Sequence, residues 1–427
     1  MNNTSRIKKN YKTIKLKKLV IVSLLIGFSC AFLGVVLKRI TEYYENIFFH
    51  QASSNSVFYV LFPVFGLSVI FFLREYVFKK KENKGIKEIF ESINIKSKKL
   101  PSYKIPSHFI NGFLTVIFGG STGIEVSTVV ASATIGSVAQ RKENVFRQYK
   151  TELICAGVAA GITALFGSPI AGILFGYEVI SKKVTRAFLI SNLLAVAIAF
   201  GLLFLLDEKP LFAVNITTWH YTAIPYFILL GILAGLNSVY LTRCVLFIKS
   251  QFLKIEVSYH KIILGSVILT ASLLLFPQLY GEGYHAIKMI FLNSNEVPLS
   301  FTLIFSCIGI VLLKPIATSV TLASGGDGGI FAPSLFIGAF LGLLVASILN
   351  GYFNADVIPV NFMIIGMAAV LSASIHAPFT AIFLVCGSSN NYTLFLPILV
   401  VSLLSKYVAK TVYPFTVYTF SPSIANR

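Results

Sequence analysis

Charged residues are scarce in this chain. They make up 12% of its 427 residues, whereas 56% are hydrophobic and the mean hydropathy is +0.79. A soluble globular domain has about twice that charged fraction. The composition therefore excludes a soluble globular protein. The chain is therefore predicted to be an integral, polytopic membrane protein in contact with the lipid bilayer.

Cysteine and acidic residues are also sparse. The five cysteines stand singly in apolar runs, and their spacing matches neither a zinc site nor a disulfide framework. The chain has no nucleotide-binding loop, metal cluster, nucleophile triad or buried acid/base pair, so we expect no enzyme activity, no metal and no cofactor. A non-transport scaffold or an intramembrane enzyme is a remote alternative.

Basic residues exceed acidic ones, giving a net charge of +19. They fall in short loops beside apolar spans, which is typical of orientation signals and not of a nucleic-acid-binding surface. The basic segment 1–18, an apolar span 19–37 and the basic loop 74–104 place the N-terminus in the cytoplasm. The span is too long for a cleaved signal peptide. We expect a bacterial inner or plasma membrane protein.

Two apolar runs, 108–139 and 153–177, are flanked by basic loops at both ends. Because those loops stay on one side, each run must enter the membrane and return. The first contains the glycines of 119–123, and the second contains Gly167-Ser168-Pro169, so each has the break that a re-entrant helix requires.

The second half of the chain repeats the first. Gly325-Gly326-Asp327-Gly328-Gly329-Ile330 aligns with Gly119-Gly120-Ser121-Thr122-Gly123-Ile124, and a second break at His376-Ala377-Pro378 aligns with Gly167-Ser168-Pro169. Because the first half has an odd number of crossings, the repeats should be inverted. The fold predicted is all-α, with repeats at 19–206 and 226–427 in one transport domain, 1–427, whose broken helices meet at a midplane anion site.

Helix N-termini at such breaks would attract anions. Each carries unsatisfied N–H groups and roughly half a positive charge, so the site binds an anion and also lets it leave. Glu125 is the one carboxylate in the run 108–139. An acid at membrane depth is costly, and we interpret Glu125 as a gate that takes the anion's place. The alternative is an ordinary capping glutamate.

These residues resemble the CLC family of chloride channels and chloride/proton antiporters. Gly329-Ile330-Phe331-Ala332-Pro333 is similar to the family's Gly-x-Phe-x-Pro motif, and Gly123-Ile124-Glu125 is similar to its gating-glutamate motif. The resemblance implies transport of chloride or similar small anions, with protons if exchange operates, by a homodimer with one pore per subunit. No regulatory domain is expected after Tyr418. The anion-binding residues so expected are Lys84, Gly85, Gly123, Ile124, Glu125, Val126, Gly329, Ile330, Phe331, Ala332 and Tyr418.

The departures from the family pattern bear on mechanism. Lys84 stands where the family has a serine against the anion, and it either binds the anion or is a solvated loop lysine. Val179 stands where antiporters of the family have an internal glutamate for protons. This favours passive, channel-like conduction, with chloride/proton antiport as the alternative. Glu178 is expected to end its helix, and Tyr413 is the alternative to Tyr418 if the register slips.

Three further polar residues lie in or beside apolar runs. Asp327 is expected to cap the helix that starts near Gly329, because short acids favour helix starts. Pairing of Asp327 with Lys314 is the other possibility. His108 is expected to be a hydrogen-bonded core histidine.

Overall fold

The architecture is given by a computed structural model that describes residues 3–79, 83–95, 97–142, 144–214, 216–293 and 301–420. Within these ranges the regular structure is helical, apart from one isolated β-bridge. The helices of the first half are α1 (Asn3–Ser54), α2 (Phe58–Phe72), α3 (Ile86–Asn94), α4 (Lys104–Ile117), α5 (Glu125–Lys142), α6 (Lys150–Phe166), α7 (Pro169–Phe175) and α8 (Arg186–Leu205).

The second half continues with eight further helices. They are α9 (Ile224–Leu253), α10 (Ser258–Leu275), α11 (Tyr284–Asn293), α12 (Phe301–Ala323), α13 (Phe331–Phe353), α14 (Pro359–Ile375), α15 (Pro378–Ser388) and α16 (Phe395–Val412). Among the described residues, nine helical segments are long and apolar enough to cross a bilayer. The predicted all-α polytopic fold is confirmed.

Helix α1 is longer than the sequence suggested. From residue 3 onward, the predicted basic segment and the first apolar span form one helix that continues to Ser54. Lys38 and Arg39, which follow the predicted span, stay helical and bind Glu208 at the end of α8, with a Lys38 to Glu208 distance of 3.0 Å. Two ion pairs to the segment that follows α8 thus hold this part of α1 beyond the apolar span.

The predicted breaks are present in both halves. Helix α4 stops at Ile117 and α5 starts at Glu125, while α12 stops at Ala323 and α13 starts at Phe331. Glycine is required at the first break because Gly119 adopts a φ of 80°, and a Cβ there would lie 2.8 Å from the Tyr280 ring. The irregular backbone is therefore fixed by packing.

The second pair of breaks separates α6 from α7 and α14 from α15. Helix α6 ends on Gly167 with a φ of 65°, and α14 ends on His376 with a φ of 55°. The Ser168 hydroxyl accepts from the N–H of Ala171 and donates to the carbonyl of Phe383 at 2.7 Å. One serine therefore caps α7 and ties it to α15 of the other repeat.

The two repeats exchange equivalent hydrogen bonds. The N–H of Ser121 donates to the Thr321 hydroxyl at 3.1 Å, and the N–H of Asp327 donates to the Thr115 hydroxyl at 2.9 Å. Ser121 aligns with Asp327 and Thr115 aligns with Thr321 at the spacing of the repeat. An antiparallel bridge joins Gly123 to Gly329 between them. This reciprocity is what two segments related by a two-fold axis produce, as predicted for inverted repeats.

Helices α13 and α14 touch backbone to backbone. A Cβ at Gly338 would lie 2.3 Å from the carbonyl oxygen of Gly366, and one at Gly342 would lie 2.1 Å from that of Phe362. Small residues permit this close approach in membranes, where helix association depends on packing. The pair forms the buried centre of the second repeat.

This contact makes a prediction about stability. Gly342→Ala should lower the free energy of unfolding by about 1–3 kcal/mol, because a methyl group overpacks the interface. The matched control is Gly201→Ala, since a Cβ at Gly201 on α8 meets nothing within 4 Å. The control should be neutral or stabilising by up to about 1 kcal/mol, because alanine favours helix. Thermal unfolding of the detergent-solubilised protein measures both, and equal midpoints would contradict the backbone contact.

Candidate functional site

Two helices of different repeats begin at the same point. The N-termini of α5 and α13 meet where Gly123 pairs with Gly329. The Thr122 hydroxyl accepts from the N–H of Gly329 at 2.8 Å and donates to its carbonyl at 2.8 Å, so it holds this strand contact from one side. The free N–H groups at the starts of both helices are thereby brought together.

A third helix N-terminus, that of α3, lies close to the same point. Val126 in the first turn of α5 connects them, because a Cβ at Gly85 would lie 3.4 Å from Val126 and a Cβ at Gly329 would lie 2.1 Å from it. Gly85 precedes α3 and has a φ of 62°. The glycines predicted from sequence thus let three helix starts approach one side chain.

Glu125 is the first residue of α5 and is buried, with 2% of its surface exposed. Its Oε1 accepts a hydrogen bond from the Tyr284 hydroxyl at 2.5 Å. Its Oε2 has no hydrogen-bond partner among the described residues and lies over Gly123, next to the Ala332 side chain. The backbone N–H groups of Glu125 and Ala332 also face the carboxylate. The acid therefore sits between the two helix starts.

Tyr418 reaches the same region from the C-terminal segment. It is 8% exposed, and its hydroxyl has no hydrogen-bond partner among the described residues. That hydroxyl would lie 3.5 Å from a Cβ on Gly329, and the N–H of Ile330 faces it. Tyr413, the alternative from the sequence, instead packs against Arg243, with 5.3 Å from the guanidinium to the ring centroid. Tyr418 is the tyrosine that the fold brings to the break.

Lys84 lies near the start of α3, with its side chain exposed. Its backbone N–H donates to the Glu88 carboxylate, which also binds Lys104 at 2.9 Å. The structure thus places the Lys84 backbone beside α3, while its ammonium is not among the buried groups of the break. Glu88 is a polar partner that the sequence analysis did not consider.

Asp327 does not cap α13, which corrects the sequence prediction. Helix α13 starts at Phe331 after Ile330, and no side chain caps it. The Asp327 carboxylate instead binds the buried His108 imidazole at 2.8 Å and the Asn83 amide at 2.7 Å. His108 is the bonded core histidine that was predicted, but its partner lies in the other repeat.

Lys314 does not pair with Asp327 either. Its buried ammonium donates to the carbonyls of Gly281 at 3.1 Å and Leu279 at 3.3 Å, and it stacks over the Phe336 ring. This contact was not predicted from the sequence, and neither was a role for Glu282 and Tyr284 in the same loop. A charged residue between two glycines, as in Gly281-Glu282-Gly283, was the signal available.

Glu178 lies in the helical turn Gly176–Ser181 that follows α7, and it binds Thr380 of the second repeat. Its carboxylate accepts from the N–H of Thr380 at 2.7 Å and from the Thr380 hydroxyl at 2.7 Å. It therefore caps α15, whereas the sequence analysis expected it to end its own helix. Val179 beside it is buried, 7% exposed.

Cavities approach the break from two directions. One has a volume of about 120 Å³ and is lined by Ile124, Glu125, Glu282 and Tyr284, among others. Its rim carries residues of α1 and α11, such as Glu42 and Lys288. The other, of about 150 Å³, lies at the α12 end and is lined by Arg74, Lys249, Lys261 and Asp327. Glu125 therefore borders the first cavity.

Known proteins resemble this chain in sequence. A family model described as voltage gated chloride channel matches residues 65–410. The voltage-gated ClC-type chloride channel ClcB of Salmonella dublin is 26% identical over 310 residues, covering 71% of this chain and 72% of its own.

Two solved structures share the fold. A CLC-type fluoride/proton antiporter superposes with a TM-score of 0.78 at 23% identity, covering 94% of this chain and 97% of its own. A slow cyanobacterial Cl⁻/H⁺ antiporter superposes with a TM-score of 0.79 at 24% identity, covering 94% and 96%. At these identities the likeness concerns the fold.

The contacts of Asp327 make a second prediction. Asp327→Asn should lower the free energy of unfolding by about 1–3 kcal/mol, because an amide placed between the Asn83 amide and His108 leaves a buried polar group unpaired. Asp356→Asn is the control, since Asp356 is exposed. Thermal melts in detergent should separate the two variants, and matching melts would show that the His108 contact contributes nothing.

Proposed function

The chain belongs to the voltage gated chloride channel family, the CLC family, and we propose that it moves chloride or a similar small anion across the membrane where α5 and α13 meet. One observation carries the proposal. Two helix N-termini from opposite repeats converge on a buried place where the Tyr418 hydroxyl has no protein partner among the described residues. A small anion supplies the missing acceptor for such donors.

Binding at this place would rest on partial charges. The N–H groups of Ile330, Phe331 and Ala332 belong to the start of α13, and the positive end of the helix dipole favours an anion there. The exposed ammonium of Lys84 stays outside the buried region. A site without a full positive charge holds an anion weakly enough for release, which conduction requires.

Glu125 acts as the gate in this proposal. Its carboxylate lies between the helix starts and faces the N–H groups of Glu125 and Ala332, so it occupies a position that suits an anion. The Tyr284 hydroxyl holds it there. Protonation removes the negative charge that competes with the anion, and the side chain is then free to leave.

Passive conduction is the mechanism that we favour. Proton exchange requires a protonatable route from the opposite side to Glu125, and Val179 neither binds nor passes a proton. The Glu178 carboxylate is engaged as a cap on α15. Chloride/proton antiport is the second candidate. The row of Glu125, Tyr284 and Glu282 beside the cavity of about 120 Å³ favours it because protons could enter there.

The location of the protein and its oligomeric state belong to the same proposal. The protein is a multi-pass integral membrane protein. We infer a bacterial inner or plasma membrane with the N-terminus in the cytoplasm, supported by the basic residues of the first segment. A homodimer with one pore per subunit belongs to the same inference and is supported by the family resemblance.

The gate assignment makes a prediction about pH. In the wild type, chloride flux should rise as external pH falls, because protonation of Glu125 removes the competing charge. Glu125→Gln should keep flux high and remove most of this dependence in reconstituted liposomes. Glu42→Gln, at an exposed acid on the rim of the same cavity, should behave as wild type. Unchanged pH dependence in Glu125→Gln would rule out the gate.

Val179 makes a prediction about mechanism. In liposomes with a chloride gradient and no membrane potential, the protein should release chloride without driving protons uphill, and its reversal potential should ignore a pH gradient. Glu178→Gln should leave this result unchanged, because Glu178 caps α15 and does not carry protons in this mechanism. Sustained uphill proton movement at a fixed anion-to-proton ratio would establish antiport. Its loss in Glu178→Gln would make Glu178 the relay.

A further inference from the structure

A second buried carboxylate, Glu282, lines the same cavity as Glu125. Glu282 is 9% exposed and lies in the loop between α10 and α11. The cavity that reaches Glu125 is bordered by Glu282, Tyr284 and Ile124. An anion in this cavity therefore meets Glu282 as well as the gate.

The carboxylate of Glu282 occupies a backbone donor of the site. Its Oε1 accepts from the N–H of Ile124 at 3.1 Å. Ile124 directly precedes Glu125, and its N–H was among those expected to bind the anion. Glu282 thus stands at the start of α5 as Glu125 stands against α13, with a negative oxygen in a position that suits an anion.

The loop that carries Glu282 is held from two sides. The Glu45 carboxylate of α1 accepts from the N–H of Glu282 at 3.0 Å, while the Lys314 ammonium of α12 binds the carbonyls of Leu279 and Gly281. Gly281 adopts a φ of 57°, and a Cβ there would lie 1.9 Å from a Glu45 oxygen. The position of Glu282 is therefore fixed by charged groups of two other helices.

Three other carboxylates lie around Glu282, together with three lysines. Charged and titratable groups face it from every neighbouring element. They are Glu125 of α5, Lys38, Glu42 and Glu45 of α1, Lys314 of α12, and Tyr284, His285 and Lys288 of α11. Buried carboxylates that share a site do not readily ionise together. Chloride in the cavity beside Glu282 would add a further negative charge to these carboxylates.

We propose that Glu282 is a second gating carboxylate, which competes with the entering anion for the N–H of Ile124. This rests on the proposed function, because it assumes that anions pass Glu125. Glu125 closes the position between α5 and α13, and Glu282 closes the one at the N–H of Ile124. External anions then enter when Glu282 is protonated or displaced, and Lys314 keeps the loop in place throughout.

The test uses the Glu125→Gln protein, in which the inner gate is already neutral. Glu282→Gln is added to it, since the amide oxygen still accepts from Ile124 while the charge is lost. In liposomes, the external chloride concentration for half-maximal influx should fall about tenfold, because a nearby like charge is removed. Glu42→Gln in the same background should change it less than about twofold, because surface charges are screened.

The alternatives give different results. If Glu282 only supports the loop, Glu282→Gln will match its parent and Glu282→Ala alone will be impaired, which overturns the proposal. If Glu125→Gln itself carries no chloride, the proposed function fails, and this proposal fails with it. Chloride titration calorimetry on purified protein in detergent repeats the comparison without reconstitution, and equal affinities for Glu125→Gln with and without Glu282→Gln would also overturn it.

Discussion

The reciprocal contact between the two breaks is the constraint on which the structure depends. A broken helix leaves backbone N–H and carbonyl groups unpaired, and inside a bilayer each unpaired group costs several kcal/mol. Here each repeat supplies the hydroxyl that the other lacks, through Thr115 and Thr321, and Thr122 satisfies both groups of Gly329. Neither break is satisfied alone. The proposed anion site is formed only where the repeats meet.

Several buried charges follow the same rule, because each binds a partner outside its own helix. Lys314 binds carbonyls of the 277–283 loop, Glu45 binds an N–H of that loop, and Asp327 binds His108. Removal of one partner would leave an uncompensated charge, which is far more costly than loss of the pair. The ionisable groups near the break therefore fix the relative positions of helices as well as the electrostatics of the pathway.

The sequence predicts those parts of the fold that depend on local signals. Glycine, proline and basic loops in the sequence marked the helix breaks. The repeat of Gly119–Gly123 in Gly325–Gly329 indicated which two breaks correspond to each other. Partners of single polar residues were not predictable, because contacts between distant helices leave no periodic pattern. Asp327 was misjudged because a short acid before a helix usually caps it, whereas α13 starts later, at Phe331. Glu282 and Tyr284 gained meaning only through Ile124 and Glu125.

The contact between α13 and α14 has a consequence for time scale. Backbone atoms at Gly338, Gly342 and Gly366 touch without intervening side chains, so α13 cannot tilt against α14 unless the interface opens. Access to the anion site would then be switched by side chains such as Glu125. Rotation of side chains takes picoseconds to nanoseconds when they are free, whereas collective movements of domains take microseconds to milliseconds. We expect opening to be limited by release of Glu125 from its hydrogen bond to Tyr284, and the helices to keep their positions while the ions pass.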